Sequence, residues 1–144
     1  MTRFADGPVE SPGFLLWHAT LRWQRAVAAA LQPLDLTHVQ FVLLACTWWA
    51  ARSGDAPNQA GVARQAGTDP KMTSEVLARL EAKGLVNRNT DPTDARAKLL
   101  EVTGPGAELA TRAIAVVETV DAEFFGDEPT RDVVAMLQRL ASVS

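Results

Sequence analysis

The chain has one cysteine, two histidines and no tyrosine among its 144 residues. A single thiol, Cys46, cannot close an intramolecular disulfide, so nothing here asks for an oxidising compartment. It lies among Leu43, Ala45 and Trp49 with no flanking base to stabilise a thiolate, which reads as an inert small hydrophobe rather than a peroxide sensor. His18 and His38 stand far apart in the sequence, with no cysteine or carboxylate cluster beside either, so no metal site is expected. Catalytic patterns are missing as well. There is no Ser-His-Asp order, no phosphate-cradling glycine loop and no paired-carboxylate motif, so an enzyme reading has no residue to rest on and no cofactor is expected.

Long apolar runs are absent too. The most apolar stretch, Val39 to Ala51, is far short of the roughly 20 residues that span a bilayer, so no membrane partner is expected. Residues Met1 to Pro12 include Arg3, Asp6 and Glu10 and lack the basic-then-apolar build of a secretion signal, which points to the cytoplasm. Repeats and low-complexity tracts are missing. What remains, 47% hydrophobic and 22% charged residues, belongs to a soluble globular chain whose length suits one domain over residues 1–144.

Net charge is −3 and the pI about 5.3, which argues at first against a nucleic-acid partner. The distribution says otherwise. Between Asn58 and Lys98 seven basic residues (Arg64, Lys71, Arg79, Lys83, Arg88, Arg96, Lys98) meet five acidic ones (Asp69, Glu75, Glu81, Asp91, Asp94), a local balance of +2 against −5 for the remainder. A weakly basic middle between acidic ends fits a DNA-binding lobe carried on helices that face elsewhere.

Helix punctuation is plain. Ser11-Pro12 offers a cap and a first-turn proline ahead of a breaker-free run from Phe14 to Leu31. Its apolar residues (Phe14, Leu15, Leu16, Trp17, Leu21, Trp23, Val27, Leu31) do not keep to one stripe, which predicts burial on more than one side. Thr37-His38-Val39-Gln40 has the form of a capping box and opens a second helix to about Arg52. Asn58 caps a short third helix, Gln59 to Gln65, ending at Gly67. Asp69-Pro70 opens a fourth, stopped by Gly84 as a left-handed C-cap residue. Two helices joined by the tight turn Ala66 to Asp69 make a helix-turn-helix candidate. Leu85 to Arg88 and Leu99 to Val102 read as short strands around a polar turn, Asn89 to Lys98. Thr103 caps a long fifth helix toward Gly126, and a last helix is expected to bury Val133, Val134, Leu137 and Leu140.

In the fourth helix Met72, Val76, Leu77, Leu80 and Gly84 fall on one side. Lys71, Ser74, Glu75, Ala78 and Ala82 fall on the other, with Thr73 and Arg79 at the margins. A small, polar outward face suits a helix in the major groove, where short side chains let the backbone approach and Thr, Ser or Lys can meet base edges. An ordinary solvated face has the same periodicity, and Glu75 weighs on that side. The turn Asp91-Pro92-Thr93-Asp94-Ala95-Arg96 then places an arginine beside a carboxylate that can hold the turn's backbone. Next to a helix-turn-helix such an arginine suits a narrow minor groove, whose negative potential it matches; a surface Asp-Arg pair is the alternative.

The run from Ser74 through Arg88 (SEVLARLEAKGLVNR), then Asp91-Pro92-Thr93-Asp94-Ala95-Arg96, then Leu100-Glu101-Val102-Thr103 with Gly106, resembles the MarR family of bacterial regulators. Leu36-Thr37 with Gln40-Phe41 resembles that family's second-helix entry, and Gln59 to Ala66 its third helix. The resemblance implies a mainly α fold with a β-hairpin wing, a winged helix-turn-helix lobe over about residues 37–103. Dimerisation helices over about 12–32 and 104–144 would interlock two copies. It implies a homodimer on double-stranded DNA, with repression or activation tuned by a small-molecule effector. Asp94 and Arg96 match the family's Asp-x-Arg wing pair, and Thr73, Ser74, Arg79 and Arg88 fall where DNA-contacting residues lie; Lys71 and Lys98 complete the expected DNA-binding set. Two positions depart from the pattern, Ala95 replacing a residue that is often charged and Glu75 one that is often basic or neutral.

An effector pocket is expected among Trp17, His18, Trp48 and Trp49, where tryptophans could stack on a planar ligand, core packing being the alternative. Together these readings give a repressor that binds a pseudo-palindromic operator as a two-fold dimer and is released by an aromatic effector. The competing classes are a winged helix used for protein contact and a small-molecule binding protein without direct DNA binding.

Overall fold

The computed structural model describes residue 3 and residues 5–143, so expectations that include Met1, Thr2, Phe4 and Ser144 reach outside the described residues there. Six helices and one hairpin follow in the order α1 (Pro12–Leu31), α2 (His38–Ala51), α3 (Gln59–Ala66), α4 (Pro70–Ala82), β1 (Val86–Asp91), β2 (Asp94–Val102), α5 (Gly104–Phe125) and α6 (Thr130–Ala141). Short 3₁₀ turns at Pro8–Glu10 and Gln32–Leu34 flank α1.

The caps act as the sequence predicts, because each is a local contest between a side chain and the unsatisfied N–H groups of a first helical turn. Ser11, Asn58, Asp69 and Thr103 each accept from the backbone N–H three residues on, and Thr37 with Gln40 closes a reciprocal box. Gly67 and Gly84 adopt left-handed backbone at φ 74° and 75°, ending α3 and α4 where a Cβ would be strained.

The hairpin is longer than expected. Its strands are antiparallel and run from Val86↔Val102 to Thr90↔Lys98, with a register shift before Asp91↔Asp94, so the polar stretch read as a loop is ladder almost to its tip. Asp91 explains this, since its Oδ1 accepts from the Thr93 N–H at 2.9 Å and the Thr93 hydroxyl at 2.8 Å and closes the turn in place. An isolated bridge between Asn58 and Leu99, with the Leu100 N–H donating to Pro57 O at 2.8 Å, ties the entry of α3 to β2.

The core joins lobe and supporting helices. Leu36, Leu43, Leu44, Val62, Leu77, Leu80, Leu85, Val86 and Leu100 fill the lobe and continue into Val27, Leu31, Ala110, Ala113 and Val117 between α1 and α5. Two expectations need correcting. The N-terminal half of α1 is not sandwiched: Phe14, Leu15, Leu16 and Trp17 are exposed, Trp17 by 64%. Nor does α6 bury its apolar face, since Val134, Leu137 and Leu140 are exposed and Val133 is only half-buried. Both stripes are as apolar as predicted, but among the described residues no other element covers them. Among the described residues no single helix is long and apolar enough to cross a membrane.

Candidate nucleic-acid interface

Burial sets the orientation of α4. Thr73, Leu77 and Leu80 are fully buried, at the i, i+4, i+7 spacing of one helical stripe. Opposite them Lys71, Glu75 and Ala82 are exposed and Ala78 is half-buried. The outward surface is polar, with small Ala78 and Ala82 toward its C-terminal half, as a groove-lying helix allows.

Thr73, expected among the DNA-facing residues, is therefore corrected. Its hydroxyl donates to Asp69 O at 2.8 Å and lies 2.6 Å from the Thr68 hydroxyl, stitching the helix-turn-helix corner from inside. Internal partners for the hydroxyl make its burial affordable. Met72, assigned to the buried side, is instead 43% exposed.

Arg88, also expected among the DNA-binding residues, makes contacts within the lobe. Its Nε lies 3.4 Å from Glu81 Oε1, its backbone N–H donates to Glu81 Oε2 at 3.2 Å, and its Nη1 donates to Ser74 O and Oγ at 3.4 Å each. The side chain is only 19% exposed. It packs along the flank of α4 and stays partly exposed. Ser74, half-buried, receives that contact.

Three of the other predicted residues, Asp94, Arg96 and Lys98, border one concavity. A groove of about 570 Å³ opens between α3, the start of α4 and the wing, with Arg64, Asp94, Arg96 and Lys98 on its walls. Arg96 is exposed near the hairpin tip, and its backbone N–H donates to Asp94 Oδ1 at 3.0 Å, so the carboxylate holds the turn and leaves the guanidinium unengaged by it. Lys98 reaches the Thr90 hydroxyl at 3.2 Å across the strand pair. Lys71 stands exposed on the first turn of α4. Arg79 is exposed on the opposite flank from the wing, in a second groove lined with Asp35, His38 and Lys83.

Sequence reasoning left two of these features out of the site. Arg64 was counted only as local charge, yet it shares the groove with Arg96; its place on the polar side of a helix whose Val62 and Ala63 are buried is the signal that finds it. Gln59 has a buried Oε1 with no hydrogen-bond partner in the same groove. No sequence pattern announces that. Among the described residues the ion pairs are Lys83 with Asp35 and Arg88 with Glu81, so the groove's arginines and lysine carry their charge outward.

The expected effector residues form two separate groups. His18 packs edge-on against Phe14 at 4.5 Å in the exposed half of α1. Trp48 and Trp49 meet edge to face at 5.2 Å, with the Arg52 guanidinium 4.7 Å and 5.5 Å from their ring centroids. Trp49 is 57% exposed, and neither groove described above touches any of the four. Burial pushes the Cys46 thiol above its ordinary value, which fits an unreactive side chain.

Comparison with known proteins gives a consistent picture. Residues 36–98 match the model of the MarR family. The uncharacterized HTH-type transcriptional regulator YdcH of Bacillus subtilis is 46% identical over 120 residues, covering 83% of this chain and 82% of that protein. An HTH-type transcriptional repressor of Mycobacterium bovis is 33% identical over 140 residues, 95% of this chain and 96% of its own. Among solved structures, CouR from Rhodococcus jostii bound to p-coumaroyl-CoA superposes with a TM-score of 0.82 at 29% identity, covering 96% of this chain and 94% of the other.

Proposed function

The chain belongs to the MarR family of transcriptional regulators, and from that premise we propose that it is a repressor. It binds a pseudo-palindromic operator as a homodimer in the cytoplasm and is released by a small aromatic effector. One observation carries the DNA part of this reading. The first turn of α4 and the Arg96-bearing hairpin flank a single groove whose walls hold Arg64, Arg96 and Lys98. A helix for the major groove and an arginine for the adjacent minor groove are thus offered side by side, despite the acidic chain as a whole. Lys71 at the start of α4 adds charge where free N–H groups already favour phosphate.

The homodimer is supported by the two uncovered stripes. Val134, Leu137 and Leu140 on α6, with Phe14 to Trp17 on α1, are apolar surface that a second copy would cover. Two-fold pairing would present two recognition helices about 34 Å apart, one turn of DNA, which a pseudo-palindrome matches. Repression is supported by the mycobacterial relative named as a repressor, and the aromatic effector by CouR's bound p-coumaroyl-CoA. Trp17, His18, Trp48 and Trp49, so open in one chain, would line the effector site only once the second copy closes over them.

The test is selection of bound duplexes from fragments of the host's own chromosome, followed by titration with salt. Phosphate contacts require affinity to fall steeply with salt, whereas an apolar protein interface responds weakly. A protein that selects no fragment at low ionic strength ends the proposal.

A further inference from the structure

Resting on the DNA-binding reading above, we propose that Arg88 and Glu81 form a brace that fixes the angle between recognition helix and wing, so that α4 and Arg96 can enter neighbouring grooves together. Both are positioning residues. Neither is assigned a base or a phosphate.

The hairpin needs such a device. A two-stranded ribbon is marginal by itself, and here only its base is anchored, by buried Leu85, Val86 and Leu100 and by the Asn58–Leu99 bridge. Beyond Arg88↔Leu100 the paired residues are exposed or half-buried. Arg96 lies four residues past Leu100, about 13 Å along the strand. A swing of the hairpin by about 10° about its base would carry that arginine roughly 2 Å, enough to break hydrogen bonds that tolerate only a few tenths of an ångström.

Arg88 sits at the hinge of that swing. Ser74 and Glu81 are seven residues apart on one flank of α4, about 10 Å along its axis. From β1 a single residue reaches both, through one backbone and three side-chain hydrogen bonds. At 3.2 to 3.4 Å each contact is long for a charge-assisted bond. Number and direction do the fixing here, since together they hold the strand against both translation along the helix and rotation away from it. A lysine could supply the charge but not the fork.

The sign of one substitution separates this role from bare electrostatics. Glu81→Gln removes a negative charge beside the duplex, so charge alone predicts tighter binding. The brace predicts weaker binding, on the order of tenfold, because two residues in direct contact lose their coupling. The probe is a duplex selected from a random pool by the unmodified full-length protein. Hydroxyl-radical cleavage reads the minor groove under the wing, and methylation of guanine N7 reads the major groove under α4. For Glu81→Gln and Arg88→Lys the expected result is loss of minor-groove protection with major-groove protection kept. The exchanged pair Glu81→Arg with Arg88→Glu should recover part of the lost affinity even if either single change unfolds the lobe. Unchanged or tighter binding by Glu81→Gln with both protections intact overturns the brace. An unmodified protein that selects no duplex overturns the DNA-binding reading itself, and the brace with it.

Discussion

Gly106 stands so close to Leu85 that a Cβ on the glycine would lie 1.9 Å from the Leu85 carbonyl oxygen and 2.9 Å from its carbon. The same spot is bound by hydrogen bonds. Thr103 donates its backbone N–H to Leu85 O at 3.1 Å and its hydroxyl to Gly84 O at 2.7 Å, while accepting from the Gly106 N–H at 3.0 Å. The first turn of α5 is thereby pressed onto the exit of the recognition helix. Because the obstacle is backbone, it cannot rotate aside.

Gly106→Ala should therefore destabilise the chain by about 3 kcal/mol, the upper end of overpacking costs. Urea denaturation reads this as a lower midpoint at unchanged slope. An unaltered midpoint would mean that α5 does not pack against the wing base as closely as described.

What the sequence makes legible is what neighbouring residues decide among themselves. The Thr37–Gln40 box, Asp69 with Pro70 and the Thr103 cap all act within one helical turn. The hairpin's reach was hidden because its outer strands are exposed on both faces and so show no alternation, while Asp91 and Thr93, residues of a loop by composition, close a turn that lets pairing continue. Thr73 and Arg88 are polar residues on a polar-looking surface. Only the positions of Thr68, Ser74 and Glu81 reveal that their hydrogen bonds point inward. For α1 and α6 the apolar stripes were legible and their exposure was not, since nothing in the sequence says that no neighbour among the described residues covers them.

Arg96→Ala should weaken binding to a selected duplex by about 1–2 kcal/mol, roughly tenfold, as for loss of one specific arginine contact. The side chain is exposed, so stability should stay within about 0.5 kcal/mol of the unmodified protein. Asp94→Ala should cost less, because it frees the backbone N–H of Arg96 without removing the guanidinium. Gel-shift titration and urea denaturation on the same preparations check both. Equal affinity for Arg96→Ala and the unmodified chain would remove the wing from the interface.

His38 gives a pH dependence whose sign can be worked out. Its pKa is held below the ordinary 6.5 by burial, with Asp121 opposing. Around it, the Trp23 ring lies edge-on at 5.1 Å and donates its Nε1–H to Asp121 Oδ1 at 2.8 Å. Its place on the first turn of α2 also disfavours a cation. As pH falls through 6.5 the unfolded chain takes up this proton before the folded one does, so stability is full above that value. It then declines until pH passes the lowered folded-state pKa. His38→Gln should remove this slope, so the stability difference between the two proteins should change across that interval and be flat above it. Parallel curves would show that burial does not perturb His38.

The apolar stripe of α6 sets the last expectation. Leu140 is 68% exposed, Leu137 38% and Val134 45%, at spacings that place them along one side of a twelve-residue helix. Isolated helices of this length are marginal in water, so α6 needs a surface to fold against, and among the described residues none covers its apolar stripe. A stable homodimer buries more than about 1,000 Å², which α6 can approach only together with the exposed half of α1. Leu137→Glu with Leu140→Glu would place two carboxylates in that interface, where an unpaired charge is far costlier than a lost methyl contact. The expected product is a monomer by sedimentation equilibrium at concentrations where the unmodified protein is dimeric. Affinity for a two-fold duplex should then collapse, since each lobe must bind its half-site alone. The unmodified protein should also melt at a temperature that rises with its concentration, and the variant should not. A monomeric unmodified protein, or a variant that stays dimeric, would mean that these leucines face something other than a second copy of the chain.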